Sequence, residues 1–110
     1  MQPTELKDFV IEKIEDLKAR DIVVLDVSDR SDVTDFMIVC TGTSKTHVRS
    51  IAEHTAVEAK RADWAPLGVE GTQDGEWALV DLSSVLLHVM QEQTRDLYQL
   101  EKLWGAKPGN

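Results

Sequence analysis

The sequence has a single cysteine, Cys40, and one cysteine excludes a framework of disulfides within the chain. No apolar run approaches the roughly 20 residues that a membrane-spanning helix needs. The first nine residues, MQPTELKDF, lack both the basic region and the apolar region of a secretory signal. We therefore expect a cytoplasmic protein that does not bind membranes.

Basic residues are scarce as well. Twelve Lys and Arg stand against twenty Asp and Glu, which gives a net charge of −8. Binding to phosphate backbones depends on clustered Lys and Arg, so the composition disfavours direct contact with nucleic acid. If the partner is charged, a basic protein is the better expectation.

A chain of 110 residues, 42% of them hydrophobic, is long enough for one domain with a core of its own. We find no internal repeat, linker or low-complexity segment. We expect one domain over residues 1–110, with residues 105–110 as a flexible tail.

The densest apolar segment extends from Gly75 to Trp104 and predicts a β-hairpin. Its strands are expected at Trp77–Leu82 and Val85–Met90, around a turn at Asp81–Ser84. Successive side chains of a strand alternate between the two faces of a sheet. One face of the first strand then carries Ala78, Val80 and Leu82, and the other carries Trp77, Leu79 and Asp81. Since both faces contain apolar residues, both need cover.

Two long amphipathic helices are predicted before the hairpin, at Thr4–Ala19 and Ser44–Ala62, with Thr4 and Ser44 as their N-caps. A short helix, Gln91–Trp104, is predicted after it, with Leu97, Leu100 and Trp104 on one face. Three further strands are expected at Ile22–Val27, Phe36–Thr41 and Leu67–Val69. The second of these is almost continuously apolar, which predicts a central position.

The resulting order, α-β-β-α-β-β-β-α, predicts an α/β fold. We expect a mixed sheet of about five strands, a βαβ crossover through the second helix, both long helices on one face, and only the short C-terminal helix on the other. Exposed apolar patches are commonly binding sites, so this shortage of cover favours a partner surface or self-association.

Most residues that could act in catalysis, metal binding or partner binding also have an ordinary structural explanation. His47 and His54 lie two helical turns apart, too far to share one metal ion without other ligands. His88 is either a hydrogen-bonded structural residue or a catalytic one, and Cys40 is either a small buried residue or a nucleophile. Trp77 and Tyr98 are either core residues or anchors of an interface.

The Gly42–Ser44 turn supports a hypothesis of another class, a nucleotide-handling enzyme. It joins a strand to a helix, where anions bind, but it lacks the Lys and the glycine spacing of a phosphate loop. The arrangement is similar to that of nucleotidyltransferases, which hold metal ions with paired carboxylates. Asp81 is followed by Leu82 and Ser83, and one carboxylate cannot hold two metal ions, so this catalysis is disfavoured.

Taken together, the sequence closely resembles the ribosomal silencing factor family, in order and spacing over almost the whole chain. The resemblance is carried by Ser31–Ser44, His47, Ile51, Ala52, Gly68–Gly71, Glu76, Trp77, Val80–Leu82, His88–Met90, Arg95, Tyr98, Leu100, Glu101, Leu103 and Trp104.

This resemblance implies a non-enzymatic protein without a cofactor or metal, with a nucleotidyltransferase-like fold that lacks the catalytic residues. It implies docking on a large-subunit ribosomal protein of the L-fourteen type and a steric block of joining with the small subunit. Translation would then fall when nutrients are short, with a further role in subunit maturation. The free protein is expected to be a homodimer.

Carried onto this chain, the family's contact aromatics are Trp77 and Tyr98. The same surface is expected to include Leu82, Glu70, Asp81 and His88. The sequence leaves open which of Thr34, Asp35 and His88 contact the partner and which support the fold.

Overall fold

The computed structural model describes residues 1–105, so residues 106–110 of the flexible tail expected at 105–110 lie outside the described residues. Gly105, which we expected in that tail, instead ends the last helix. The elements in chain order are α1 (Pro3–Asp16), β1 (Arg20–Asp26), β2 (Phe36–Thr41), α2 (Lys45–Arg61), β3 (Gly68–Glu70), β4 (Trp77–Asp81), β5 (Val85–Met90), α3 (Glu92–Tyr98) and α4 (Leu100–Gly105).

The five strands form one mixed sheet in the order β1-β2-β5-β4-β3, which confirms the predicted fold class. β2 and β5 are parallel, and the other neighbouring strands are antiparallel. The crossover from β2 through α2 reaches β3 at the far edge, because the β4–β5 hairpin lies between them. β2 is central, as its apolar sequence predicted, since β1 and β5 flank it.

Both long helices pack on one face of the sheet, as predicted. Alternation along each strand gives that face its apolar side chains, and the small residues of α2 let the helix lie close to them. The fully buried residues of this core include Leu6, Val10, Ile14, Ile38, Cys40, Val48, Ile51, Ala52, Ala59, Ala78, Val80, Leu82, Val85, Leu87 and Val89.

The two long helices begin differently. Ser44 caps α2 as predicted, since its Oγ accepts a hydrogen bond from the His47 backbone N–H at 3.0 Å. The prediction that Thr4 caps α1 is wrong, because α1 begins at Pro3 and its N-cap is Gln2. Proline suits the first helical position, where its fixed φ matches the helix and the missing N–H is not needed.

The C-terminal segment forms two short helices instead of the single predicted one. They are separated at Gln99, whose φ of 48° is left-handed. The buried Arg95 explains the break: it donates to Thr41 Oγ1 at 2.8 Å, and its Nε lies 3.3 Å from Glu101 Oε2. A continuous helix would carry Glu101 past Arg95, whereas the turn at Gln99 brings it back. The predicted common face is also wrong, because Leu97 is 76% exposed.

A candidate partner-binding face

The face opposite α1 and α2 is built from cross-strand rows. His88 on β5 pairs with Leu79 on β4 and with Val39 on β2, and Leu79 pairs in turn with Glu70 on β3. Residues directly opposite each other in a sheet share a face, so these four form one row. His88 therefore lies at the centre of the sheet and Glu70 at its edge.

Within residues 1–105, α3 and α4 cover one side of this face. Arg95 fastens α3 to β2, and α4 contacts β1. In the loop that follows β1, an Arg30 guanidinium nitrogen donates to the Trp104 carbonyl. Beneath this cover, Val39 is fully buried. On the uncovered side, Leu79 and other residues of β4 and β5 are only half-buried. The shortage of helical cover predicted from the sequence is therefore confined to the half of this face that α3 and α4 leave open.

Three ring side chains meet at the boundary between the two halves. The Trp77 ring lies 4.8 Å from the Tyr98 ring and 5.9 Å from the His88 ring, centroid to centroid. Tyr98 is 54% exposed, although it packs on Trp77. We call this region the open face and define it by Trp77, Leu79, Leu86, His88 and Tyr98, with Glu70 and Asp81 at its rim.

A hydrogen bond fixes the protonation of His88. The Trp77 indole N–H donates to His88 Nδ1 at 3.0 Å. An indole can only donate, so Nδ1 must be an acceptor and the imidazole proton must reside on Nε2. Burial lowers the pKa of His88 to about 4, so the ring is neutral near pH 7. His88 thus has the hydrogen-bonded structural role that was one of its two interpretations.

The rim of the open face is acidic. Glu70 is exposed, and Asp81 is half-buried with its Oδ1 accepting the Ser83 N–H at 2.9 Å. The chain from Ala62 to Thr94 contains six carboxylates and neither Lys nor Arg. Arg49 of α2 reaches this segment at the Thr72 and Gln73 carbonyls, but the six carboxylates outnumber it, so the segment attracts cations.

Leu82 does not belong to the open face, contrary to the expectation that placed it there. It is fully buried in the core, and its carbonyl accepts a hydrogen bond from the Trp64 indole at 2.9 Å. Alternation along the strand explains the difference, because Leu82 follows Ala78 and Val80 onto the face that α1 and α2 cover.

A shallow depression of about 260 Å³ on the open face is lined by Glu70, Gly71, Trp77, Leu79 and His88. Sites for small molecules typically have volumes of about 300–1,000 Å³ and enclose most of the ligand. This depression is smaller and open, so it suits one side chain of a macromolecule. Gly71 lets the chain after β3 lie close to β4 here, because its φ is +80° and a Cβ there would lie 2.0 Å from the Trp77 carbonyl oxygen.

The Gly42–Ser44 turn has a structural explanation at each position. A Cβ on Gly42 would lie 2.6 Å from Val48 Cγ2, so the glycine allows α2 to approach β2. The Thr43 N–H donates to His47 Nδ1 at 2.8 Å, and Ser44 caps the helix. These contacts give the Thr43 N–H, the His47 N–H and the Ser44 hydroxyl structural roles, so the geometry does not favour the nucleotide-handling alternative.

The other candidate residues are also held by structural contacts. His47 Nε2 donates to the Leu17 carbonyl at 2.7 Å, and His54 Nε2 lies 3.1 Å from Asp16 Oδ2. Burial raises the pKa of the Cys40 thiol to about 12, which makes it a poor nucleophile. Within residues 1–105, no group of three or more His, Cys, Asp or Glu could hold a metal ion. None of the helices in that range has the length and hydropathy needed to cross a bilayer.

Leu79 and Leu86 were missing from the expected site residues. Both lie on the open face and are half-buried. The sequence contains a signal for them, since period-two alternation places Leu79 with Trp77 and Leu86 with His88. That signal identifies the face, but not which half of it α3 and α4 leave open.

A half-covered, aromatic sheet face is the kind of exposed apolar surface at which proteins bind other macromolecules. Comparison with known proteins identifies the family. The model of the family "Ribosomal silencing factor during starvation" matches residues 2–110. The chain belongs to the ribosomal silencing factor family, which confirms the resemblance seen in the sequence.

Individual relatives support this family assignment. A ribosomal silencing factor of Haemophilus influenzae is 43% identical over 100 residues, which cover 91% of this chain and 98% of that protein. A mouse protein named mitochondrial assembly of ribosomal large subunit protein 1 is 32% identical over 91% of this chain and 45% of its own length. A crystal structure from Chromobacterium violaceum superimposes with a TM-score of 0.94 at 39% identity, covering all of this chain and 92% of that one.

Proposed function

We propose that the chain binds the large ribosomal subunit through its open face and sterically blocks joining with the small subunit. The contact is a large-subunit ribosomal protein of the L-fourteen type, and the result is repression of translation under nutrient limitation. The family description, silencing during starvation, supports this role. The name of the mouse relative, which refers to assembly of the large subunit, supports an additional part in subunit biogenesis.

The observation that carries the proposal is the open face itself. Tyr98 is 54% exposed and packs on the half-buried Trp77, beside the half-buried Leu79. Large aromatic side chains in partly desolvated positions dominate the binding energy of protein interfaces. Trp77 and Tyr98 therefore supply the anchors, and Leu79 and Leu86 extend the apolar contact around them.

The charge of the face favours a basic protein over RNA. Glu70 and Asp81 at the rim complement the Lys and Arg of a ribosomal protein. The same carboxylates, with the net charge of −8, repel the phosphates of the surrounding ribosomal RNA. Little or no sequence-specific contact with nucleic acid is needed, because the docking protein determines where the chain binds.

Bulk alone is sufficient for silencing in this mechanism. The molecule measures 38 × 33 × 20 Å along its principal axes. Atoms that contact each other lie about 4 Å apart, so a bound body 20 Å thick separates the two subunits well beyond contact distance. The blocked state requires neither catalysis nor a conformational change of the ribosome.

In the free protein, we propose that a second copy covers the open face, giving a homodimer. If one face serves both purposes, the dimer must open before it binds the subunit, and dimerisation then competes with binding in a concentration-dependent way.

Truncation of the aromatic anchors tests the proposal. We expect Trp77→Ala and Tyr98→Ala each to weaken binding to purified large subunits by about 2 kcal/mol or more, which is roughly 30-fold, because each removes an interface anchor. Cosedimentation with large subunits measures the loss. Val57→Ala is the matched control, since Val57 is an exposed apolar residue of α2, on the other side of the sheet.

Two results would contradict the proposal. One is undiminished subunit binding by both aromatic variants. The other is self-association of the wild-type chain, seen in concentration-dependent sedimentation, without any binding to large subunits. The second result would assign the open face to dimerisation alone.

A further inference from the structure

His88 has a polar atom that the fold leaves unsatisfied. Its Nδ1 is occupied by the Trp77 indole N–H, so Nε2 carries the proton and is a donor. Nε2 is shielded from solvent, and no group among residues 1–105 accepts a hydrogen bond from it. Buried donors are almost always paired in folded proteins, because an unpaired one loses its hydration without replacement. The free chain therefore carries an uncompensated cost at this atom.

The unsatisfied donor belongs to the one residue at the centre of the open face. His88 is 8% exposed, and the exposed part of the residue lines the depression together with Trp77, Leu79 and Glu70. A partner side chain or loop that enters the depression therefore contacts the imidazole. For the partner to reach Nε2, a side chain that shields it must move, and Leu79, the cross-strand neighbour of His88, is only half-buried.

The surroundings select the kind of atom that Nε2 would bind. A Lys or Arg head has no acceptor to offer to an N–H donor. A carboxylate would be repelled by Glu70, which lines the same depression. What remains is an uncharged oxygen: a backbone carbonyl, a side-chain amide or a hydroxyl group.

We propose, building on the ribosomal role proposed above, that His88 donates its Nε2–H to an uncharged oxygen of the ribosomal partner. His88 thereby selects for a hydrogen-bond acceptor on the group that enters the depression. Trp77 and Tyr98 supply apolar contact, and Glu70 and Asp81 attract basic residues to the rim. The shielding of Nε2 matters here. An exposed N–H would exchange one hydrogen bond for another, whereas this one gains a bond that the free chain lacks.

Two substitutions at His88 separate this role from simple support of Trp77. The amide of Asn reaches the position of Nδ1, so the oxygen in His88→Asn can accept from the indole, while no donor reaches the position of Nε2. The amide of Gln reaches the position of Nε2, so His88→Gln retains the donor. We expect His88→Asn to weaken binding to purified large subunits by about tenfold, and His88→Gln to retain most of the affinity. Urea unfolding of both variants, compared with the wild type, verifies that each is folded.

The tautomer is measured directly in the free chain. In two-bond ¹H–¹⁵N spectra of protein labelled at histidine, we expect His88 to be protonated at Nε2. On addition of the L-fourteen type ribosomal protein, we expect the Nε2–H proton to shift downfield. A proton on Nδ1 in the free chain would overturn the inference regardless of the result of the subunit-binding assay.

The outcomes at His88 are distinct from a failure of the proposed function. If the wild type binds subunits and His88→Asn binds equally well, only the inference about His88 is overturned. Equal losses in folded Asn and Gln variants would assign His88 to packing and would also overturn it. If the wild type does not bind large subunits, the proposed function fails and the inference fails with it.

Discussion

At the scale of single residues, His88 connects the interior of the sheet to its open face. Its proton cannot move to Nδ1 without breaking the bond from Trp77, and burial disfavours a second proton. The ring therefore remains in one neutral tautomer where an exposed histidine would change state. This constant donor pattern suits the recognition role that we propose for His88.

Stability should depend on pH through the same residue. The pKa of His88 is lowered from 6.5 to about 4 in the folded chain. Between these pH values the unfolded chain binds a proton at His88 that the folded chain does not. The contribution of His88 to the free energy of unfolding is therefore fully present above pH 6.5 and declines as the pH falls towards 4. We expect a contribution of about 3 kcal/mol to be lost over this range.

Urea unfolding measured at several pH values, on the wild type and on His88→Gln, tests this expectation. The variant lacks the titrating group, so the difference between the two curves isolates His88 from the carboxylates that titrate nearby. Parallel pH profiles for the two proteins would show that His88 is not the cause.

At the scale of elements, the C-terminal pair α3 and α4 determines how much of the sheet is exposed. Arg95 is its fastening point, since it contacts both Thr41 on β2 and Glu101 on α4. The pair also places Tyr98, the last residue of α3, against Trp77. The break between the two helices is thus part of the geometry of the open face.

The left-handed residue at this break predicts an unusual effect of glycine. Gln99 has a φ of 48°, a conformation that costs a non-glycine residue about 1 kcal/mol or more. We expect Gln99→Gly to stabilise the chain by about 1 kcal/mol, measured by urea unfolding. The matched control is Gln93→Gly, an exposed position within α3, which we expect to destabilise by about 0.5–1 kcal/mol. Changes of the same sign in both variants would contradict this explanation.

At the scale of the whole molecule, acidic charge and an aromatic patch act together. The net charge of −8 and the segment without basic residues from Ala62 to Thr94 orient the chain towards a basic partner. In the complex that we propose, apolar contact at Trp77 and Tyr98 then holds the partner. Long-range attraction mainly increases the rate of association, and the anchors slow dissociation.

Binding to the large subunit should therefore depend on salt. Raising monovalent salt from about 0.05 to about 0.5 M should weaken binding severalfold, because screening shortens the range of the rim charges to a few Å. Glu70→Gln should lower both the association rate and its salt dependence, measured by surface-based kinetics on immobilised subunits. Glu53→Gln is the control, since Glu53 is exposed on α2, on the other side of the sheet. Equal effects of the two substitutions would contradict a role for the rim.

The sequence by itself determined the order and type of the elements. Runs of apolar and β-branched residues located the strands, with β5 at its predicted bounds, and helical periodicity located α1 and α2. Period-two alternation assigned the strand side chains to faces, and all these patterns arise within a few neighbouring residues. The same alternation separated the two faces of the hairpin, although the expectation for Leu82 did not follow it. The family resemblance, rather than any pattern, indicated Trp77 and Tyr98 as contacts.

Only the tertiary structure decided which half of the second face is open, where the C-terminal segment breaks, and which nitrogen of His88 carries the proton. The break contains neither Gly nor Pro, and its cause, Arg95, bonds Thr41 at a separation of 54 residues. The tautomer depends on an indole that reaches His88 from the neighbouring strand. Such contacts join residues distant in sequence, so no local pattern records them.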